Sequence, residues 1–124
     1  MKMQPDRLEG TNLISRQEPG RLWVHQTCLQ GSHLVPHRGH AQPWPVSHFD
    51  DLQDSHFAQI LALKPELVIM GTGRGLRFPT PALRRSLIKA GVGFEAMDTG
   101  AACRTFNVLA SEGRAVLAAL ILDP

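Results

Sequence analysis

The sequence has no tyrosine, and its two tryptophans and five phenylalanines bring aromatic residues to only 6% of 124 positions. Within its most basic stretch, Arg74 to Lys89, Phe78 is the one aromatic, too little for the stacked platform on which single-stranded nucleic acids are held. Nucleic acid is therefore not an expected partner. Cysteine is as scarce. Cys28 and Cys103 stand alone and far apart, which excludes a disulfide framework or a zinc site built from paired cysteines. Long apolar runs are missing too, since the longest, Ala115 to Leu122, is eight residues, whereas a helix crossing a bilayer needs about 20. The opening Met-Lys-Met-Gln-Pro-Asp-Arg lacks the apolar stretch of a secretory leader, and no Arg- and Ser-rich transit segment follows. An intracellular, most simply cytoplasmic, protein with reduced thiols is expected.

What is present is globular in composition, with 43% hydrophobic and 19% charged residues. A chain of this length supports one core, so residues 1–124 are read as a single domain. The net charge of +2 is uneven: no acid occurs between Glu66 and Glu95, a window that holds Arg74, Arg77, Arg84, Arg85 and Lys89. Its simplest reading is a solvated helix face; the other is attraction to phosphate groups or an anionic membrane surface.

The first 48 residues carry short apolar groups (Leu13-Ile14, Leu22-Trp23-Val24, Cys28-Leu29, Leu34-Val35) separated by turn formers, which predicts a three-strand meander. Pro36 to Pro45 reads as a wrapped loop anchored by Trp44. Phe49, Leu52, His56, Ile60 and Leu63 then recur at spacings of three and four, the pattern of one helix face, and Pro65 ends that helix. Leu67 to Met70 reads as a strand buried on both sides. Thr80, Pro81, Leu83, Leu87 and Gly91 mark a helix with cap, first turn, inward face and stop. Val92 to Met97 reads as a strand, and Asp98-Thr99 caps a helix to about Ser111, stopped by Gly113. Ala115 to Leu122 reads as a buried strand. After the meander the order is helix, strand, helix, strand, helix, strand, an α/β arrangement that favours parallel pairing and right-handed crossovers.

In such a sheet, ligands collect outside the carboxyl ends of the strands, where helix N-termini converge. Two loops are expected to meet there, Gly71 to Pro79 and Asp98 to Thr105. Their glycines permit close backbone approach, and Arg74, Arg77 and Arg104 add charge. The candidate site comprises Gly71, Thr72, Gly73, Arg74, Gly75, Asp98, Thr99, Cys103, Arg104 and Asn107, for binding a small anionic ligand or for an enzymatic site. The same glycines serve equally as a tight turn under close helix packing, and Asp98 and Thr99 equally as a cap. Nucleotide motifs fail: Gly71, Gly73 and Gly75 miss the third glycine of the dinucleotide fingerprint by one position, and no Gly-Lys-Ser/Thr closes a P-loop. Cys103, beside Arg104 near a helix N-terminus, has the setting of a lowered thiol pKa; a small buried hydrophobe is the simpler reading. His33, His37 and His40 are interrupted by Pro36 and Gly39 and read as an exposed loop, not a metal site. His56 reads as an edge-of-core residue. Arg104, Asn107 and Ser111 share a polar helix face that either bonds neighbouring loops or meets a partner, and Glu112 with Arg114 offers a local ion pair. No catalytic residue, metal or cofactor is expected. Open edge strands in the meander leave homo-oligomerisation as an option.

The strand ending Gly71-Thr72-Gly73, the later Pro79, and above all Met97-Asp98-Thr99-x-Ala101-Ala102-Cys103-Arg104-Thr105-Phe106-Asn107-Val108-Leu109 with Glu112-Gly113-Arg114 beyond resemble a small family of domains of unknown function. That family includes a mitochondrial assembly factor for respiratory complex I, the NADH:ubiquinone oxidoreductase, and many bacterial proteins. The resemblance is specific over residues 65–122 and loose before them. It implies a layered α/β fold with a central mixed sheet, and it supports a strand at Ala115 to Leu122. It further implies a non-enzymatic binding or assembly-factor-like role, with a protein partner in a respiratory or membrane complex. It carries no catalytic residue to this chain, and Phe106 stands where a tyrosine is common.

Overall fold

A computed structural model describes residues 10–123. The meander forms as β1 (Ile14–Glu18), β2 (Arg21–Val24) and β3 (Thr27–Gln30), a three-stranded antiparallel sheet in that order. Pro19-Gly20 closes its first hairpin, with Gly20 at φ 75°, the left-handed conformation that glycine enters without steric cost. The fourth apolar group, Leu34-Val35, leaves the meander. It lies in β4 (His33–Pro36), which joins the second sheet together with β5 (Gln42–Pro43), β6 (Leu67–Gly71), β7 (Gly93–Met97) and β8 (Val116–Leu120) in the order β5-β4-β8-β6-β7. Strands β6, β7 and β8 are parallel, as their helical crossovers favour, while β4 pairs antiparallel with both β8 and β5. The central sheet is therefore mixed.

Alternation along the central strands sorts the core into two layers. Ile69 of β6 and Val116, Ala118 and Leu120 of β8 face α3 (Thr99–Ser111) and the small sheet, meeting Cys103, Phe106 and Leu22. Val68, Met70, Leu117 and Ala119 face the other way, against α1 (Asp54–Ala62), α2 (Arg85–Lys89) and Trp44. Burial on both faces explains why β6 and β8 read as unbroken apolar runs. Trp44 is 2% exposed and donates its Nε1–H to the His56 carbonyl at 3.2 Å, which is the anchoring role expected of it.

Two helices differ from their sequence patterns. The first is broken: Phe49–Asp51 forms a separate 3₁₀ turn, Leu52 and Gln53 are extended, and α1 starts at Asp54. Phe57, not His56, shares its buried face with Ile60. His56 sits at the core edge. Its Nδ1 accepts the Gln53 backbone N–H at 2.9 Å and its Nε2 donates to the Pro45 carbonyl at 3.0 Å, tying the helix start to the wrapped loop. The second helix, expected from Pro81, is continuous only over Arg85–Lys89. Thr80 does cap, accepting the Leu83 N–H at 3.3 Å. The chain from Pro81 to Arg84 then winds in turns, with the Arg84 N–H bonding the Thr80 carbonyl at 3.2 Å and the Arg85 N–H reaching the Ala82 carbonyl at 3.4 Å, before the regular helix begins. Asp98 caps α3 as expected, its Oδ1 accepting the Ala101 N–H at 2.9 Å. Arg114 pairs with Glu66 at 3.3 Å and not with Glu112.

Candidate functional site

Register brings the two expected loops together. Gly71 at the end of β6 lies opposite Met97 at the end of β7, so the chain leaves the sheet at adjacent points. The Thr72 N–H bonds the Met97 carbonyl at 2.9 Å, and the Thr99 N–H bonds the Gly73 carbonyl at 2.8 Å. Thr99, 3% exposed, ties three segments: its Oγ1 accepts the Gly73 N–H and donates to the Ile121 carbonyl, both at 2.8 Å. Gly71 is required for this closeness, since a Cβ there would stand 2.9 Å from the Thr99 Cα. At Gly73 the backbone is at φ 99°, a conformation costly for any residue with a side chain. Thr72 organises the first loop from beneath, donating its hydroxyl to the Gly75 carbonyl at 2.6 Å and accepting the Arg77 N–H at 3.1 Å.

Above this junction is an open depression of about 320 Å³. Of the expected site residues, Gly73, Arg74, Asp98 and Thr99 line it. Gly71 and Thr72 lie in the packing below, and Gly75 in the outer loop. The depression also takes Gln17 and Glu18 from the first hairpin and Asp123 from the chain end. Nothing in the sequence pattern pointed to these three, because the contact spans a hairpin and a sheet joined only in the fold. Among the described residues that line it, Glu18, Asp98 and Asp123 set three carboxylates against one cation, Arg74. The Gly73 and Ala101 amides are already engaged by Thr99 and Asp98, so the rim presents mostly acceptors.

The remaining expected residues do not line the depression, although the Arg104 guanidinium reaches its margin beside Gly100. Asn107 clamps β1 onto α3: its Oδ1 accepts the Ile14 N–H and its Nδ2 donates to the Ile14 carbonyl, each at 2.8 Å. This is the loop-bonding reading of the polar helix face. Replacing it (Asn107→Ala) strands a partly buried backbone pair and is expected to cost about 2 kcal/mol, read as a shift of the urea midpoint. Arg104 is exposed. Cys103 is 6% exposed and packs in the core beneath α3. Burial pushes its thiol up to about 11, against a smaller lowering by Arg104, so the activated-thiol reading fails. Below pH 9 both folded and unfolded forms keep the proton. Between pH 9 and 11 the unfolded thiol ionises while the folded one does not, so stability falls by about 2–3 kcal/mol across that window. The Cys103→Ala variant should lack that part of the slope, and in the folded parent at neutral pH a thiol reagent should modify exposed Cys28 and spare Cys103. His33 is not in a loop with His37 and His40 but buried in β4, its Nδ1 2.9 Å from the Gly31 carbonyl. Among the described residues no group of three His, Cys, Asp or Glu side chains could hold a metal ion, and no helix is long and apolar enough to cross a membrane.

Three similarities bear on these features. The chain is 37% identical over 83 residues to the Bos taurus NADH dehydrogenase [ubiquinone] 1 alpha subcomplex assembly factor 3, covering 65% of this chain and 45% of that protein. It thus spans about half the length of that relative. It is 36% identical to the 13 kDa major membrane protein of Francisella tularensis over 98% of this chain and 99% of that one. Among solved structures, a Bordetella pertussis protein described as a Mth938-like domain superposes with a TM-score of 0.83 at 31% identity, covering 99% of this chain and 93% of that chain. Residues 14–121 match the family described as protein of unknown function (DUF498/DUF598), and with nearly the whole fold inside that match, the chain belongs to this family.

Proposed function

We propose that this protein is a non-enzymatic, intracellular binding protein that assists assembly of a larger complex, as its assembly-factor relatives are named for doing. The observation that carries the reading is the 37% identity over 83 residues to assembly factor 3. The site is compatible with it. The loop junction is spent on internal bonds of Thr99 and Thr72, and Cys103 is buried and protonated. The outer face of α3, where Arg104 and the 57% exposed Val108 lie, is the partner surface this reading favours. Deleting the gene should reduce fully assembled NADH dehydrogenase on native gels, and Val108→Glu with Arg104→Glu should fail to restore it while folding normally. Unchanged assembly in the deletion strain would overturn the reading.

A second reading, a small-ligand site at the sheet edge, is favoured by one observation, the depression beside Arg74. Its acceptor-rich rim suits a ligand that brings hydrogen-bond donors beside the anionic group Arg74 would hold. A thermal-shift screen of amino acids and other small zwitterions tests it: stabilisation that Arg74→Ala abolishes supports the site, and absence of any shift removes it.

A further inference from the structure

The loop after β6 exposes two large apolar side chains. Leu76 is 54% and Phe78 71% exposed. Residues 76–80 contain no turn or bend. Arg77, between them, turns back: its guanidinium stacks 4.4 Å from the Phe49 ring centre and bonds Asp50 at 2.7 Å. The segment is held from below by the Thr72 hydroxyl, which bonds the Gly75 carbonyl and the Arg77 N–H, and from its far end by buried Pro79. Leu76 and Phe78 therefore project from an anchored loop, not from a frayed one. Cations flank them. Arg74 precedes the pair, and α2 beyond it exposes Arg85 and Lys89 around Ile88, itself 54% exposed. No acid occurs from residue 67 to 94; Asp50, which approaches the loop at Arg77, is bonded to it, while Glu18, Asp98 and Asp123 lie on the other side of the loop around Arg74 and Asp54 borders the groove edged by Arg85 and Lys89.

We propose that this loop is a membrane-contact element: Leu76 and Phe78 enter the interfacial layer of an anionic phospholipid bilayer while Arg85 and Lys89 meet its headgroups. Two features favour a lipid surface over a protein. A projecting pair of side chains offers on the order of 300 Å² of apolar area, well below the roughly 800 Å² that each side of a standard protein interface covers. Exposed apolar side chains in a stretch that carries cations and no acid match the layering of an anionic bilayer, with apolar groups below the headgroup plane and negative charge at it. Attachment is peripheral and reversible, and it stands independently of the assembly role.

The test is co-sedimentation of the full-length protein with vesicles of phosphatidylcholine alone or mixed with phosphatidylglycerol. Binding is expected to the mixed vesicles and to weaken with salt. The double variant Leu76→Ser/Phe78→Ser, both sites being exposed, should fold as the parent does and lose about tenfold or more in partitioning. Arg85→Glu/Lys89→Glu should lose binding to the mixed vesicles. As a second readout, Phe78→Trp should add a fluorescence component that shifts to the blue on anionic vesicles. Failure of the parent to bind mixed vesicles, equal binding by parent and double variant, or emission from the Phe78→Trp variant that vesicles leave unmoved would each overturn the proposal. Unchanged vesicle binding by the double variant, with loss of a protein partner instead, would reassign the loop to protein docking.

Discussion

Replacing Phe106 with alanine is expected to lower the unfolding free energy by about 4 kcal/mol, near the middle of the range for removing a buried phenylalanine. Phe106 is fully buried and belongs to one cluster with Ile14 and Leu22 of the small sheet and Ile69 and Leu120 of the central sheet. The cavity would open where helix and both sheets share one core, and close packing leaves few ways to refill it. Against a total of roughly 5–15 kcal/mol for a domain, the loss should lower the melting temperature by roughly 15 °C. Urea unfolding checks it. An unchanged slope with a lower midpoint is the expected signature, since the change acts on the folded core. A shift of less than a quarter of that size would mean the small sheet is not packed on the central one through Phe106.

The second large effect is at Thr99. Valine keeps the shape and β-branching but removes the hydroxyl, leaving the Gly73 N–H without an acceptor and the Ile121 carbonyl without its donor. Both bonds are buried, and each stranded backbone group costs about 1–3 kcal/mol. The expected sum is about 3 kcal/mol. Serine keeps the hydroxyl and should recover most of it, which separates the lost bonds from any change in packing. Hydrogen exchange gives the spatial check: protection should fall at Gly73 and Thr99 in the valine variant and hold in β2 and β3. Valine matching wild type would mean that Thr99 does not join the loops, and the shared edge would lose its central bond.

Much of this molecule could be read from its residues. Asp98 as a cap, Gly113 as a stop and the unbroken run Ala115 to Leu122 announce α3 and β8, because caps and burial patterns are local signals. The meeting of the Gly71 and Asp98 loops followed from parallel strand order alone. The break at Leu52-Gln53 escaped because apolar spacing can continue across a kink that only backbone angles reveal. The delay of α2 escaped because Thr80-Pro81 also begins isolated turns. The mixed sheet was not a local property of Leu34-Val35, since pairing partners come from distant chain. The fold alone decided that β4 pairs with β8, that Glu18 and Asp123 line the same depression as Arg74, that Asn107 holds Ile14, and that Cys103 is protonated by burial. Each of these depends on groups far apart in sequence, and their free energies of contact and desolvation do not exist until the layers close.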